Sequence, residues 1–355
     1  MSACSPSGAD IRGSQADLSA RLAGLVGASG PLGFDEFVEA CLYDSSAGFY
    51  ASGGMAGRRG DFITSPEVGP LFGSVLARYV DSVWEVLGRP AGFTVVEAGA
   101  GVGTLARAVL SAGPGCLEVG TYVMVERSGT LRSAQPAGER LRSVPELPDG
   151  PLVGVILANE LLDNLAFSLL EAAGGAWHEV RVGVSDGTFV ECLAERFEPP
   201  VEVDPVDGAR IAVQAAAADW VNDALARLDR GALLVVDYCT TTGGMADRFQ
   251  EEWLRTYRGH GRGGSPLASP GMQDITVDVA VDQLADGASL STQAEFLRLH
   301  GIDGLVEEGR RTWSERAHLG DLEAVRARSR VTESEALLDT GGLGGFGVLE
   351  WSVGC

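Results

Sequence analysis

The stretch VVEAGAGVGTLA, from Val95 to Ala106, constrains the fold of this chain most strongly. Its first apolar residues are typical of a buried strand, and they lead through an acidic residue to three alternating glycines and a helical segment. Glycines at a strand-to-helix turn let the backbone approach a bound ligand closely and point N–H groups at it. Because Gly103 comes one residue too early for the G-x-G-x-x-G dinucleotide fingerprint, the turn indicates a different ligand. A tight turn without a ligand is the alternative interpretation of this motif alone.

The rest of the chain alternates apolar strands with helices. Short continuous apolar strands separated by helices indicate a parallel sheet that is covered on both faces. No internal repeat or low-complexity linker divides the chain, so we expect one doubly wound α/β domain with additions. The predicted strands are Gly92–Gly99, Thr121–Glu126, Leu152–Ala158 and Ala232–Tyr238. The predicted helices between them are Leu105–Ala112, Gly129–Gln135, Glu160–Leu165 and Ile211–Leu228.

Additional segments flank this alternating core. Before the first strand, helices are predicted at Ala16–Val26, Leu32–Leu42 and Pro70–Leu87. A hairpin is predicted within residues 177–194, and another strand in the final apolar run. The irregular segment Thr240–Gln273 is longer than most loops that only connect two elements, so we expect a lid or a binding loop there.

Composition excludes several classes of function. With 45% hydrophobic and 21% charged residues, the 355-residue chain resembles ordinary soluble globular proteins. Its formal net charge of −22 argues against a nucleic-acid partner, because phosphate neutralisation requires a basic surface. No apolar run reaches the ~20 residues of a membrane span, and the N-terminus lacks the pattern of a signal peptide. The six scattered cysteines form no C-x-x-C pair, so we expect a cytoplasmic protein without a metal site.

A second acidic residue gives the glycine turn a more specific meaning. The pattern E-x-G-x-G-x-G, which begins at Glu97, is that of S-adenosylmethionine (SAM) binding in methyltransferases of similar doubly wound topology. In that pattern the acidic residue helps to hold the methionine end of the cofactor. Glu126 ends the next predicted strand, where a carboxylate can accept hydrogen bonds from both hydroxyls of a ribose. The turn and Glu126 together predict SAM as the cofactor.

Several stretches of the chain occur in the same order in one known family. They are FDEFVEACLYDSSAGFYASGG, GRRGDFITSPEVGPLFG, VVEAGAGVGTLA, VERSGTLRSAQ, ANELLDNLA, LLVVDY, LRTYRGH, DITVDV and TQAEFLRLHGI. On these stretches, from about Phe34 to Val353, the chain resembles the MidA-like SAM-dependent methyltransferases, which include a mitochondrial complex I assembly factor that methylates a protein arginine. The resemblance implies a class I methyltransferase fold: a Rossmann-like, doubly wound, mostly parallel sheet with an N-terminal helical extension and acceptor-side insertions.

The resemblance also implies a division of the chain and a set of cofactor-binding residues. An N-terminal helical region with a cofactor-covering loop (residues 1–90) precedes the SAM-binding core with its hairpin (91–239), a lid and acceptor region (240–288), and the C-terminal completion of the sheet (289–355). The loop Gly57–Gly73 is implied to fold over the cofactor, with a surface ion pair as the alternative role of its arginines. The implied cofactor-binding residues are Arg59, Asp61, Thr64, Glu67, Glu97, Gly99, Ala100, Gly101, Gly103, Glu126, Arg127 and Asn159.

The methyl acceptor is expected beside the stretch GVILANELLDNLAF, Gly154–Phe167. In open α/β sheets ligands lie at the carboxyl ends of the strands, and an amide and two carboxylates follow the predicted strand here. Capping of the next helix is the structural alternative for these polar residues. A histidine could also act as the base near neutral pH. The candidate catalytic residues are Glu160, Asn159, Asp163, His260 and His178.

The acceptor half departs from the family pattern, which reads N-E-x-L-D-A-L-P after this strand. The chain has Asn164 where alanine is usual, Ala166 where proline is usual, and Cys239 where a glycine follows the next strand. An intact cofactor half with a changed acceptor half predicts SAM chemistry on a new acceptor. Our main hypothesis is a small aromatic nitrogen-containing natural product, for example an indole ring carbon or nitrogen of a cyclic dipeptide.

Two alternatives remain open from the sequence. The first is a protein arginine N-methyltransferase of the MidA type, since Glu160 and Asp163 could pair with a guanidinium. The second is a non-catalytic assembly protein, which the intact glycine turn and Glu126 argue against. The expected partner is therefore a small-molecule acceptor or an arginine-bearing protein. The sequence allows a homodimer, and neither nucleic acid nor a membrane is expected as a partner.

Overall fold

The computed structural model describes residues 8–51, 64–259 and 261–354 of the chain. Within these ranges, 3₁₀ turns cover residues 162–164, 281–283, 317–319 and 343–345. The α-helices are α1 (Gly8–Ser29), α2 (Phe34–Tyr43), α3 (Ser65–Val68), α4 (Pro70–Val86), α5 (Thr104–Ala112), α6 (Cys116–Val119), α7 (Gly129–Arg132), α8 (Ala215–Arg227), α9 (Thr242–Ala246), α10 (Gln250–Trp253), α11 (Gln293–Leu299), α12 (Ile302–Arg316) and α13 (Leu322–Leu338).

The strands of the described ranges belong to four sheets. They are β1 (Leu32–Gly33), β2 (Thr94–Ala98), β3 (Thr121–Val125), β4 (Leu141–Val144), β5 (Leu152–Asn159), β6 (Ser168–Ala173), β7 (Ala176–Ser185), β8 (Thr188–Arg196), β9 (Arg210–Val213), β10 (Leu228–Asp237), β11 (Cys239–Thr240), β12 (Leu254–Arg258), β13 (Gly261–Arg262), β14 (Asp274–Val277), β15 (Val279–Ala280), β16 (Ser289–Thr292) and β17 (Gly347–Val353).

The central sheet has the strand order β16-β17-β10-β5-β2-β3-β4. The strands from β10 to β4 run parallel, whereas β17 is antiparallel to both β10 and β16. From β2 the chain moves outward to β3 and β4 and then returns to β5 on the other side of β2. This reversal creates a topological switch point, where open α/β sheets bind ligands at the carboxyl ends of their strands. The sheet confirms the predicted doubly wound, mostly parallel α/β fold.

Two glycines allow the middle of this sheet to pack closely. Gly154 of β5 lies between β2 and β10, and a Cβ atom there would come within 1.8 Å of the Thr94 carbonyl oxygen. Gly231 of β10 pairs with Gly154, and a Cβ atom at this position would lie 1.7 Å from the Gly154 carbonyl oxygen. Both positions therefore require glycine, because any side chain would push neighbouring backbones apart.

Apolar helix faces cover both sides of the central sheet. On one side, α4 buries a stripe that includes Val75, Tyr79 and Val83, whose spacing is that of one helix face. On the other side, Val221 and Ala224 of α8 pack against the sheet. Each large aliphatic or aromatic side chain buried in this way contributes roughly 1.5–3 kcal/mol of transfer free energy. The two apolar layers hold the strand ends, and the polar residues that follow them, in fixed positions.

A second, antiparallel sheet lies beside the central one. Its strands follow the order β1-β7-β6-β9, and β8 pairs with β7 to form the predicted hairpin. Phe34 and Phe37 of α2 are fully buried in the same apolar core as Trp177 of β7. The N-terminal helices are thus anchored on inserted strands that follow β5 in the chain, which brings the N-terminal region to the carboxyl edge of the central sheet.

Three predicted segments differ from the structure. The segment Glu160–Leu165 forms only a 3₁₀ turn, because a remote carboxylate accepts its N–H groups, as described below. The start of the predicted helix Ile211–Leu228 is strand β9, and the helix begins at Ala215. The periodicity of such a short apolar run does not distinguish strand from helix. The segment Thr240–Gln273 is not irregular, since it contains short helices and the strands β12 and β13.

Neither a membrane span nor a metal cluster is found in the part of the chain that the structure describes. None of its helices combines the length and the apolar character that crossing a bilayer requires. No group of three or more His, Cys, Asp or Glu side chains there is arranged to hold a metal ion.

Glu333 of α13 stabilises the start of a distant helix. Its buried carboxylate accepts a hydrogen bond from the backbone N–H of Leu71 at 2.8 Å, in the first turn of α4. Ser329 donates a second hydrogen bond to the same carboxylate at 2.7 Å. The first N–H groups of a helix have no partner within the helix, and the N-terminus attracts negative charge. The carboxylate therefore joins α13 to the helix that precedes the central sheet.

Replacing Glu333 with alanine should destabilise the protein. Glu333→Ala leaves the buried Leu71 N–H group without an acceptor, and we expect the free energy of unfolding to fall by about 2 kcal/mol. Glu335→Ala is the matched control, because this glutamate lies exposed on the same helix, and its effect should stay within ~0.5 kcal/mol. Urea unfolding followed by circular dichroism measures both values. Equal losses in the two variants would contradict the capping role.

Candidate functional site

The candidate site lies at the topological switch point, where β2 and β5 end side by side. A cavity opens there between the glycine turn after β2, the segment after β5 and the start of α3. We call it the first cavity. Its lining residues are Tyr50, Thr64, Pro66, Glu67, Glu97, Ala98, Gly99, Ala100, Gly101, Val102, Thr104, Leu105, Glu126, Leu131, Asn159, Glu160 and Asn164.

The glycine turn adopts a left-handed backbone at each of its glycines. Gly99, Gly101 and Gly103 have φ angles of 67°, 51° and 82°, in a region that other residues rarely occupy. At Gly103 a Cβ atom would also lie 2.7 Å from Cδ of Pro136. The motif therefore requires glycine for its conformation, and the resulting turn exposes backbone rather than side chains to the first cavity.

The backbone fixes the Glu126 carboxylate beside this turn. The Gly101 N–H donates to Oε2 at 3.0 Å, and the Ser128 N–H donates to Oε1 at 2.8 Å. A carboxylate offers about four lone-pair sites, so each oxygen can still accept another hydrogen bond. Glu126 is thus oriented to accept hydrogen bonds from two hydroxyl groups of a ligand.

Glu97 lies deeper in the same wall and is buried. The Tyr122 hydroxyl donates a hydrogen bond to its Oε2 atom at 2.6 Å. Burial raises the pKa of Glu97 to about 7, an effect that the hydrogen bond only partly opposes. Near the cavity entrance, the Thr104 hydroxyl donates to Oε1 of Glu67 at 2.8 Å. Both carboxylates therefore have fixed positions, and that of Glu97 would ionise more readily beside a ligand cation.

Asn159 and Glu160 present acceptor groups at the end of β5. Glu160 has a left-handed φ of 49°, and its N–H donates to the Val236 carbonyl at 2.8 Å. The Asn159 side-chain N–H donates to Oε1 of Glu160 at 3.0 Å. The buried Oδ1 atom of Asn159 has no hydrogen-bond donor among the described residues. Burial, followed by the charge of Asp237, raises the pKa of Glu160 to about 8.

Further carboxylates lie behind Glu160. The Oδ2 atom of Asp237, at the end of β10, accepts hydrogen bonds from the N–H groups of Leu162 at 2.9 Å and Asp163 at 3.3 Å. Asp163 is buried, and burial together with its acidic neighbours raises its pKa well above the ordinary range. Its Oδ1 atom has no hydrogen-bond partner within the described parts of the chain. A cation at Glu160 would favour ionisation of these acids, and their charges would then attract it.

A second cavity of 410 Å³ continues from the first. The two share Tyr50, Ala98, Gly99, Glu126, Glu160 and Asn164. The wall of the second cavity is largely apolar and comes from the ends of β3 and β4, the segment after β5, and α8. Its further lining residues are Tyr43, Val125, Arg127, Pro145, Glu146, Leu147, Leu161, Leu165, Trp220, Asp223 and Arg227.

The structure brings most of the predicted site residues together. Thr64, Glu67, Glu97, Gly99, Ala100, Gly101, Glu126, Asn159 and Glu160 all line the first cavity, and Gly103 belongs to the turn that forms it. Arg59, Asp61 and His260 lie outside the described residues.

Three predicted site residues lie elsewhere. Asp163 is buried behind the cavity wall and does not line either cavity, because the turn after β5 directs it toward Asp237. Arg127 lines only the second cavity, where its guanidinium pairs with Glu39 at 2.9 Å and stacks on the Tyr43 ring. His178 lies in β7 of the second sheet, where its Nδ1 atom is 3.1 Å from the Ala194 carbonyl oxygen. His178 therefore lines neither cavity.

Sequence reasoning did not identify Tyr50 and Asn164 as lining residues of both cavities. The Tyr50 hydroxyl is 3.0 Å from Oδ1 of Asn164 and 3.1 Å from Oδ1 of Asp274. The Asn164 side-chain N–H donates to the same Asp274 oxygen at 3.2 Å. The departure from the family pattern at Asn164 indicated a change on the acceptor side. Only the fold shows the contacts of this residue with the N-terminal region and with β14.

The two cavities together fit the parts of SAM. Carboxylates line the first cavity, and the oxygens of Glu67 and Glu97 suit an amino group and a cationic centre. The oriented Glu126 carboxylate suits the ribose hydroxyls. The apolar walls of the second cavity, with Leu147 and Trp220, suit a flat purine ring. Glu126 borders both cavities, as the position of the ribose between the other two parts requires.

Comparison with known proteins identifies the family. Residues 75–299, more than half of the chain, match the model of a family described as "Putative S-adenosyl-L-methionine-dependent methyltransferase". A solved structure from Burkholderia thailandensis that contains bound S-adenosyl-homocysteine is similar to this chain with a TM-score of 0.84 and 27% sequence identity, over 99% of this chain and 95% of that one. A second solved structure from the same organism has a TM-score of 0.81.

Curated relatives have related names. The chain is 28% identical to the mitochondrial protein arginine methyltransferase NDUFAF7 of Danio rerio, over 81% of this chain and 77% of that protein. It is 27% identical to the Drosophila melanogaster homolog, over 74% of this chain and 68% of that protein. These similarities support the resemblance drawn from the sequence and the class I methyltransferase fold. The chain belongs to this methyltransferase family, and it is a SAM-dependent methyltransferase.

Proposed function

We propose that the enzyme transfers the methyl group of SAM to a guanidinium nitrogen of an arginine in a protein. Two relatives that match most of the chain are named protein arginine methyltransferases. This support favours the arginine alternative over our main hypothesis from the sequence, the small aromatic acceptor, for which the comparisons offer no support. The proposal rests above all on one feature of the site, the pair of acceptor groups at the end of β5.

Asn159 and Glu160 form a receptor for N–H groups. The Asn159 amide is held through its N–H group, which leaves its oxygen as an acceptor, and the Glu160 carboxylate lies next to it. A guanidinium carries five N–H donors in a planar fork and pairs strongly with carboxylates. An indole ring offers only one N–H group. The buried acids behind Glu160 would ionise more readily beside a positive charge and then attract it, a gain that a neutral ring would not provide.

The chemistry follows from the position of Glu160. Bound SAM would supply an electrophilic methyl carbon on a sulfonium, and in-line attack by the acceptor nitrogen on this carbon would release neutral S-adenosyl-homocysteine. Glu160 and Asn159 hold the guanidinium so that one nitrogen faces the methyl group. As the new N–C bond forms, the proton of that nitrogen passes to the Glu160 carboxylate. The raised pKa of Glu160 makes it a better proton acceptor than a solvent-exposed glutamate.

Labelled SAM tests the choice of acceptor directly. The protein is incubated with methyl-labelled SAM and either arginine-containing peptides or a panel of indoles and cyclic dipeptides. We expect label in the peptides, located on arginine by mass spectrometry. Peptides in which lysine replaces arginine are the matched control and should stay unlabelled. Label in the indoles alone would overturn the proposal.

Glu160→Gln should remove activity while preserving cofactor binding. Glutamine has the shape of the protonated acid but cannot accept the proton, and we expect kcat/KM to fall at least ~100-fold. The dissociation constant for SAM, measured by calorimetry, should change less than ~3-fold because Glu126 and the glycine turn remain. Glu139→Gln, an exposed glutamate that lines neither cavity, is the control and should retain activity. An equal loss of SAM binding would show that Glu160 belongs to the cofactor site instead.

The pH dependence of transfer should follow the ionisation of Glu160. Burial raises the pKa of Glu160 to about 8, so the neutral acid persists at pH 7, while the ionised form is the one that binds guanidinium. We therefore expect kcat/KM for the peptide, at saturating SAM, to rise as pH increases from 6 to 8. The positive charge of the sulfonium would lower the pKa of Glu160 and so shift the midpoint of this rise to lower pH. In Glu160→Gln the residual rate should lack this rise, and an unchanged profile would rule out Glu160 as the titrating group.

A further inference from the structure

Tyr50 occupies the junction of the two cavities. It follows α2 in the N-terminal region, and it is the aromatic residue that lines both cavities among the residues described. Glu126, Glu160 and Asn164 line the same junction. The mechanism above assigns no role to this ring, although it lies beside the carboxylate that receives the acceptor.

The surrounding contacts hold the Tyr50 ring in one orientation. Its ring stacks on that of Tyr43, with centroids 5.5 Å apart and planes inclined by 21°. Phe49 packs edge-on against it at 5.2 Å. The hydroxyl lies within hydrogen-bond distance of Asn164 Oδ1 and Asp274 Oδ1. These contacts fix both ends of the side chain, so the ring is a rigid part of the cavity wall.

The same contacts make the ring electron-rich. An aromatic face attracts cations because its quadrupole is negative there. A phenol that donates a hydrogen bond to a carboxylate, as Tyr50 can to Asp274 at 3.1 Å, gains electron density in the ring. Tyr50 lines the junction of the two cavities, where an electron-rich aromatic ring can attract a cation.

We propose that the Tyr50 ring binds the sulfonium centre of the cofactor by a cation–π interaction, so that the site holds charged SAM more tightly than neutral S-adenosyl-homocysteine. The sulfonium lies between the amino-acid part and the ribose of SAM. If these parts occupy the first cavity and the Glu126 position, the sulfonium lies at the junction beside Tyr50 and Glu160. The inference depends on this cofactor placement and not on the identity of the acceptor.

The interaction also distinguishes substrate from product. Methyl transfer forms the bond between carbon and the acceptor nitrogen, breaks the bond between carbon and sulfur, and leaves the electron pair on sulfur. The sulfur thereby loses its positive charge, and the attraction to the ring is lost with it. Tyr50 then favours exchange of the product for a new SAM molecule.

Calorimetry without any acceptor tests this role. In Tyr50→Leu we expect the dissociation constant for SAM to rise ~3- to 30-fold, in the range of a cation–π contact. The fold-increase for S-adenosyl-homocysteine should be smaller than that for SAM by a factor of at least ~3. Tyr50→Phe keeps the ring and should retain most of the preference for SAM. Trp220→Leu is the matched control, because Trp220 lines only the second cavity, where the purine ring common to both ligands is placed, and it should affect both ligands equally.

A second series avoids a large change in shape. Phenylalanines with one, two and three ring fluorines at position 50 withdraw electron density stepwise while keeping the size of the ring. SAM affinity should fall with each fluorine, and S-adenosyl-homocysteine affinity should stay constant. A constant ratio of the two affinities across this series, or equal losses in Tyr50→Leu, would overturn the proposal. Because no acceptor is present, either result leaves the arginine proposal untouched.

Discussion

The Asp237 carboxylate determines the shape of the site. It accepts hydrogen bonds from the N–H groups of Leu162 and Asp163 and from that of Tyr238 at 2.9 Å. The chain that leaves β5 is thereby tied to the end of the neighbouring strand β10. This attachment turns the segment after Glu160 inward, and Glu160 itself has a left-handed backbone conformation. As a result, Asn164 contacts Tyr50 and Asp274.

Elements that follow local patterns are predictable from the sequence, whereas the turn after β5 depends on a remote residue and is not. The apolar strands β2, β3, β5 and β10 and the glycine turn are local patterns, and they were predicted close to their observed bounds. The polar turn after β5 has the composition of a helix start, so a helix was predicted there. The structure has a single 3₁₀ turn because the acceptor for its N–H groups comes from a residue far away in the chain.

The same reasoning applies to individual site residues. Glu126 and Glu160 are predictable because each follows a strand at the carboxyl edge of the sheet, and Glu97 because it precedes the glycine turn in the SAM-binding pattern. Asp163 is another carboxylate a few positions after Glu160, but the turn buries it. Tyr50 comes from the N-terminal region, and its position depends on the packing of α2 against the second sheet. No spacing within its own segment indicates which of several aromatic residues reaches the site.

The electrostatics of the site suit two cations. Burial raises the pKa of both Glu97 and Glu160 to near or above neutrality, so these acids are only partly ionised near pH 7 before a ligand arrives. A sulfonium and a guanidinium would each favour ionisation of a neighbouring carboxylate. The structure therefore keeps its buried charge low without ligands and gains ion pairs as the two substrates assemble.

The position of β17 affects how the chain can fold during synthesis. This strand lies between β10 and β16, and both of these precede it in the chain. The ribosome therefore releases the apolar strand β10 with one hydrogen-bonding edge unoccupied until more than a hundred further residues have emerged. An open edge of this kind can pair with other chains. The enzyme is most exposed to aggregation in this interval, and the seven residues of β17 end it.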